Sequence, residues 1–296
     1  RSFGRKAFEV AMSVAQPVYV VDAFSDRPFG GNPAAVCPLD TPASGVWMQS
    51  VAAEMNLSET AFVIHANGRW NLRWLTPTVE VDLCGHATLA AAHVLWESGR
   101  SDKSQPLQFR SRSGTLTVVW GKDGYQMDFP ALPVEASPAP AGFSEAIGAD
   151  PVWIGTNGMD LFAEVADEVA LRSLRPDLTR IASYPVRGVI VTARATEWDF
   201  VSRFFAPGSG VPEDPVTGSA HCALGPYWAL RLGRSDLIGF QASSRGGQVR
   251  VGVCGNRVQL GGSAVTVLRG ELDVPCCGAD DSWNQMAELS NAADSR

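Results

Sequence analysis

Two stretches of this chain, about half its length apart, follow one pattern, and that repeat limits the folds open to it. Around Gly85 the chain reads LCGHATLAAAHVLWESGR, and around Gly218 it reads VTGSAHCALGPYWALRLGR. Gly85 matches Gly218, Ala87 matches Ala220, Ala90 matches Ala223, and Gly99-Arg100 answers Gly233-Arg234 with a slip of one residue. Upstream, Trp70-Asn71-Leu72 and Arg73-Trp74-Leu75-Thr76-Pro77 are echoed by Trp198-Asp199-Phe200 and Arg203-Phe204-Phe205-Ala206-Pro207. Glycine and alanine match easily by chance, so the aromatic–arginine–proline echo carries the weight. A period of half the chain, in 296 residues, predicts a duplicated domain and not a stack of short repeats.

Each repeat centres on a helix start. A small-residue turn precedes an apolar, alanine-rich run in both, and Gly233 just past the second run marks its end. The first turn of such a helix leaves unpaired N–H groups and a partial positive charge, which suits an anion. Short β-branched or alternating runs surround the first helix: 18–24, 34–37, 60–64, 69–75 and 78–83 before it, and 107–110, 116–120 and 125–129 after it. A further helix is predicted over 43–55, with Thr41-Pro42 at its start and Asn56 at its end. The second half offers strands at 152–154, 161–165, 188–192, 198–205, 249–253, 257–260 and 264–269, with 271–274 as one more candidate. Short helices are expected near 144–147 and 168–174.

The expected fold is α+β: two related units over 15–130 and 143–275, each a barrel-like sheet around one helix. The segment 131–142, with Pro133, Pro138 and Pro140, reads as the linker, and the polar tail 276–296 as a short exposed element or frayed end.

Composition narrows the function. A hydrophobic share of 45% with 19% charged residues is that of a soluble globular protein. The net charge of −7, with no Lys/Arg cluster, argues against nucleic acid and anionic membranes as partners. The longest apolar runs fall short of a membrane span. Six cysteines without a C-x-x-C pair, including the couple Cys276-Cys277, predict free thiols and a cytoplasmic setting. Residues 1–11 lack the apolar core of a signal peptide, and Met12 is a candidate start. No G-x-G-x-x-G, G-K-[ST] or G-x-S-x-G motif supports a dinucleotide, a P-loop nucleotide or a serine hydrolase, so no cofactor is expected.

The candidate chemistry gathers at the repeats. Glu59 stands where a helix hands over to an apolar strand. It is either a solvated strand-end carboxylate or, in a dry cleft, a group whose raised pKa lets it give and take protons near neutrality. His86, after Gly85 at the first helix start, is a surface or capping residue or a hydrogen-bond partner for substrate, with the helix start favouring the neutral ring. His93, deep in the same helix, reads as structural. Asp214, beside Glu213, is either helix-start charge or the residue that orients a ligand amine or hydroxyl. Ser219 and the N–H groups of the Thr217-Gly218-Ser219 turn would then hold a carboxylate. Cys84 and Cys222 lie near the two helix starts, where a thiol pKa falls, but they are not equivalent under the repeat and Cys222 reads as packing. A metal set of Cys84, His86, His221 and Cys222 matches no familiar zinc spacing, and no metal is expected.

Four of these motifs resemble one family. DAFSDRPFGGNPAAV (22–36), NLSETAF (56–62), LTPTVEVDLCGHATLAAA (75–92) and GVPEDPVTGSAHCAL (210–224) closely resemble the phenazine-biosynthesis-like, or PhzF-like, family, which shares its fold with diaminopimelate epimerase. The motifs span both halves, so the resemblance covers nearly the whole chain. It implies two similar domains with the active site between them, cofactor-free proton chemistry on a small molecule, and frequently a homodimer. Carried over, Glu59 looks like the general acid/base. His86, Asp214 and Ser219 look like groups that hold substrate or assist proton transfer, and Gly85 and Gly218 like the glycines that let a ligand approach. The paired cysteines of the epimerase relative are not both matched: Cys84 falls in the expected region, but the second helix start offers Thr217-Gly218-Ser219. The expectation is therefore a Glu-based isomerase. Its rivals are an epimerase or racemase using Cys84, and a binding protein that kept the cleft without the chemistry.

Overall fold

The computed structural model describes residues 15–273, 280 and 282–294. Met12 and the Cys276-Cys277 couple lie outside the described residues. In chain order the strands of the first half are β1 (Gln16–Ala23), β2 (Asn32–Leu39), β3 (Glu59–Ala66), β4 (Arg69–Leu75), β5 (Glu80–Val81), β6 (Leu107–Ser111), β7 (Gly114–Gly121) and β8 (Gly124–Pro130). β9 (Glu135–Ala136) follows β8, and the strands of the second are β10 (Trp153–Thr156), β11 (Asp160–Glu164), β12 (Gly188–Arg194), β13 (Phe200–Phe205), β14 (Asp236–Gln241), β15 (Gly247–Cys254), β16 (Arg257–Gly262) and β17 (Ala264–Leu272). The helices are α1 (Gly45–Met55), α2 (Gly85–Glu97), α3 (Phe143–Ile147), α4 (Glu168–Ser173), α5 (Leu178–Ala182), α6 (Gly218–Leu232) and α7 (Ser282–Asp294).

The pairing pattern makes the duplication explicit. From β1 the sheet steps antiparallel to β2, parallel to β3, antiparallel to β4, parallel to β6, then antiparallel through β7 to β8. From β10 it takes the same steps in the same order through β11, β12, β13, β14 and β15 to β16. The α+β class and the pseudo-symmetry expected from sequence are both present. β8 pairs with β16 and joins the halves. The strand after each of these crosses over: β9 pairs with β10, and β17 pairs with β1. Residues 264–272, placed with the second half by sequence, thus complete the sheet of the first. The segment 131–142 is also tied down beyond β9, since Ala131 and Leu132 donate their N–H groups to the carbonyls of Asn256 and Cys222.

Ladder register aligns the halves residue by residue. Arg73 lies opposite Phe62, and Arg203 lies opposite Val191. Matching the two arginines sets Glu59 against Gly188, Ala34 against Asp160, and Trp70 against Phe200, not against Trp198 as the sequence echo suggests. Each arginine grips a carboxylate with both faces of its fork: Arg73 holds Glu80 at 2.8 and 2.7 Å, and Arg203 holds Glu213 at 2.7 and 3.0 Å. These duplicated clamps anchor the two segments that lead up to α2 and α6. Bidentate guanidinium–carboxylate pairs fix geometry as well as charge, which suits a segment that must aim a helix start.

Both central helices are apolar nearly all round, and such a helix is stable only when enclosed. In α2 every residue from His86 to Trp96 except His93 is buried. α2 packs on β1, β2, β3 and β17, and α6 on β14, β15 and β16, within one continuous hydrophobic core. Asn56 and Gly233 end α1 and α6 in left-handed geometry, with φ of 50° and 66°. Ser44, not Thr41-Pro42, caps α1, because its hydroxyl is the group that reaches Trp47 N, at 3.2 Å. α5 and β14 had no clear sequence signal, and the two strands expected between 264 and 274 are one β17. The tail forms α7, docked by Arg73 donating to Ser282 Oγ and by Trp283 donating to the carbonyl of Ala43 at 2.9 Å, so it is not a frayed end.

Candidate active site

The starts of α2 and α6 meet. A Cβ placed on Gly85 would lie 3.8 Å from the Cα of Gly218, so neither helix tip carries a side chain between them. Both N-cap residues, Cys84 and Thr217, have extended backbone and leave their helix without a side-chain cap. The clamps described above deliver them there: Glu80 precedes Cys84, and Glu213 precedes Thr217, by the same interval.

Around this junction the fold gathers Glu59 from the start of β3, Cys84 and His86 from α2, Asn32 from the start of β2, and Asp214 and Thr217 from the approach to α6. His86 Nε2 lies 3.2 Å from Glu59 Oε2. The ring's other nitrogen, Nδ1, lies 3.5 Å from Cys84 Sγ and 3.3 Å from Asn32 Nδ2. Asn32 Nδ2 donates to Asp214 Oδ1 at 2.8 Å and to the carbonyl of Val216 at 2.9 Å, which tethers the two halves. Thr217 donates its hydroxyl to Asp214 Oδ2. Behind it, Gln241 accepts from Thr217 N at 2.8 Å and donates to the carbonyl of Asp214 at 2.6 Å.

Three buried polar atoms here make no hydrogen bond: Glu59 Oε2, His86 Nε2 and Asn32 Oδ1. The first two sit at ion-pair distance without hydrogen-bond alignment. Buried polar groups are seldom left so, and a cluster of them at one junction is what a ligand-binding site presents.

The electrostatics reverse two sequence expectations. Burial pushes the Glu59 carboxyl up, but the contact and charge of His86, with help from Cys84, outweigh it and hold the pKa below its ordinary value. Burial works against a charge on His86, yet contact and charge from its neighbours, the Glu59 carboxylate among them, hold the imidazole well above its ordinary value. The pair is thus carboxylate and imidazolium, not a raised acid beside a neutral ring, because each stabilises the other's charge at 3.2 Å. Asp214 is the carboxyl that is raised, by desolvation first, with partial opposition from His86 and Thr217. Cys84 does not gain from the helix start: burial and the Glu59 charge push its thiol up to about 11. Cys222 is pushed up to about 12 by burial and packs in the core, as its place a turn inside α6 predicts.

The remaining candidates divide. Ser219 is in the first turn of α6 and accepts from Arg187 Nη1 at 2.9 Å. Glu213 is engaged by Arg203. His93 lies among Tyr125 at 2.6 Å and Thr266 at 2.9 Å, a structural setting. Among the described residues the metal-compatible cluster is Glu59, Cys84 and His86, without His221 or Cys222. The ring meets Cys84 through Nδ1 and Glu59 through Nε2, so the three face opposite edges of one imidazole. Asn32, Gln241 and Arg187 were not singled out from sequence. Asn32 alone had a signal, inside the Gly31-Asn32-Pro33 segment of a family-like motif.

The fold and junction define a two-lobed protein of the diaminopimelate-epimerase type, with carboxylates and an imidazole between abutting helix starts. More narrowly, the chain belongs to the phenazine biosynthesis-like protein family, whose sequence profile matches residues 21–270. An uncharacterized isomerase of Halalkalibacterium halodurans is 48% identical over 259 residues, covering 86% of this chain and 98% of that protein. A crystal structure of a PhzF-family protein from Enterococcus faecalis superposes with a TM-score of 0.84 at 42% identity, over 87% of this chain and 99% of the other. A hydroxyproline epimerase from Agrobacterium vitis, at 11% identity and a TM-score of 0.56 over 95% of this chain and all of its own, shares the fold alone.

Proposed function

We propose that the protein is an isomerase that moves a proton on a small carboxylate- or amine-bearing metabolite, with Glu59 as the single acid/base and no cofactor. The support comes from the asymmetry of a duplicated site. Glu59 corresponds to Gly188, and Cys84 to Thr217, so the second half offers no titratable base at either matching position. Racemisation by two bases needs one on each face of the carbon. Against Cys84 as the opposing one, its sulfur, Glu59 and His86 present ligand atoms all within 4.8 Å of one another in the same half.

In this reading the Glu59 carboxylate, already ionised beside His86, takes a proton from a carbon made acidic by a neighbouring carbonyl or carboxylate. The imidazolium of His86 offsets the negative charge that develops, without needing to reorganise. Glu59 then returns the proton at another position on the same face. Asp214, held by Asn32 and Thr217, accepts from a substrate amine or hydroxyl, and the tips of α2 and α6 receive its carboxylate. General acid–base catalysis by one group typically contributes about 10²–10⁴-fold, with orientation adding to it. Work in the cytoplasm and assembly as a homodimer belong to the same reading and rest on the family resemblance and the cysteine usage; light scattering tests the second.

Incubation with a cell extract in heavy water, followed by mass spectrometry, tests the activity. Enzyme-dependent deuterium in a metabolite whose double bond or proton has shifted is the expected result. Deuterium entering one stereocentre with inversion, lost on Cys84→Ser, would move the assignment to an epimerase, and tight binding with no exchange would leave a binding protein.

A further inference from the structure

The second half of the junction holds a charged group that this chemistry leaves unused. Arg187 stands one residue before Gly188, the counterpart of Glu59. Its Nε donates to Asp160 Oδ1 at 2.8 Å, its Nη2 donates to Oδ2, and its Nη1 donates to Ser219 Oγ at 2.9 Å. Asp160 is wholly buried, so the guanidinium is fixed as a planar fork and does not swing. Its central carbon also lies 5.3 Å from the ring centre of Phe204. Ser219 is the counterpart of His86. Where the first half sets a carboxylate beside an imidazolium, the second sets an arginine beside a helix start.

Arg187 also lines a recess of about 450 Å³ with Met159, Tyr184, Val186, Gly208 and Ser209. Its side chain is 31% exposed, and Met159 is 45% exposed. Apart from the guanidinium, the larger side chains of that wall are apolar or aromatic. A recess so lined suits an apolar body that carries one anionic end.

We propose that this recess is a substrate subsite and that Arg187 is its specificity-determining residue, reading a carboxylate remote from the carbon that Glu59 deprotonates. The substrate class is then an acid with an apolar or aromatic body. The orientation rests on the isomerase reading above, but the subsite can be tested without turnover.

The probes are 3-phenylpropionate and its neutral analogue 3-phenylpropanol, titrated into full-length protein with labelled methionine methyls. The Met159 signal is assigned by its loss in Met159→Leu. Because Arg187→Met would strand the buried Asp160 carboxylate, it is made together with Asp160→Asn and compared with the unmodified protein, with Arg187→Lys as the second variant. The acid is expected to move the Met159 methyl and to bind at least about ten-fold more weakly to Arg187→Met, in line with the loss of a charge-assisted pair, with partial recovery in Arg187→Lys. The alcohol is expected to be indifferent to the substitution. An unmoved Met159 signal, or equal acid binding with and without Arg187, overturns the subsite. If the acid depends on Arg187 but no deuterium exchange is found in any metabolite, the subsite stands and the isomerase reading falls. Exchange that needs Glu59, together with acid binding blind to Arg187, removes the subsite alone.

Discussion

Glu59→Gln separates the proton carrier from the rest of the site, because it keeps the shape and removes the charge. Two unit charges 3.2 Å apart attract by roughly 5 kcal/mol at an effective dielectric near 20, and desolvation of both groups offsets much of that. Breaking a buried pair costs about 3–5 kcal/mol when the survivor stays charged, but His86 can shed its proton, so about 1–3 kcal/mol is expected. The pH window follows from the two shifts. A raised His86 contributes stability that is complete below its ordinary value of 6.5 and is lost as pH rises through the folded value. A lowered Glu59 contributes stability that is complete above its ordinary value of 4.5 and is lost as pH falls through the folded value. The difference between parent and variant in urea unfolding should therefore peak between pH 4.5 and 6.5 and narrow on either side. In heavy water, deuterium transfer should fall by about 10²–10⁴-fold, and the His86 ring, followed by NMR, should titrate at a lower pH than in the parent. Undiminished transfer would remove Glu59 from its role. A His86 titration that does not move would remove the ion pair from the explanation of its charge.

Three other substitutions probe the same junction. Cys84→Ala should leave deuterium transfer within about ten-fold of the parent, since one base suffices in the proposed chemistry; mass spectrometry of the same extracts reads this. Gly218→Ala should fold normally and gain up to about 1 kcal/mol of helix stability, because the new Cβ meets Leu260 and Gly85 at an ordinary 3.7 and 3.8 Å. Transfer should nonetheless drop as the methyl occupies the space between the helix tips, which a melting curve and the deuterium assay can distinguish. Asn32→Ala removes both bonds that bridge β2 to the α6 approach and should cost about 1–3 kcal/mol in urea unfolding, together with most of the activity.

Much of this was legible in the sequence, and what was not has a physical reason. The helix starts and the duplication follow from local pattern, because glycine, capping geometry and apolar periodicity act over a few residues, whereas the grouping of Glu59, His86 and Asp214 is what the family resemblance implied. The exchange of β9 and β17 between the halves was not legible, since a strand's run of residues does not say which sheet it joins. The protonation states were misjudged for a related cause. A carboxyl in a dry cleft is raised, but only a partner's position decides the outcome, and the 3.2 Å approach of His86 reverses it. Gln241 and Arg187 carry no motif; β14 and the turn before β12 bring them to Asp214 and Ser219 from distant parts of the chain.

A duplicated fold begins with two equivalent sites facing one gap, and the present pair has diverged in a directed way. The positions that could carry a mobile proton are filled in the first half by Glu59, Cys84 and His86, and in the second by Gly188, Thr217 and Ser219. Other charged or titratable groups run the other way: Asp214 stands where the first half has Val81, and Arg187 adjoins Gly188. Had both halves kept a base, a proton could be removed from one face of a carbon and delivered to the other, and the result would be inversion. In the proposed chemistry Glu59 is the carrier, and the proton would leave and return on the face that Glu59 meets. The second half would then serve to grip the substrate, and the proposed chemistry is a rearrangement without inversion.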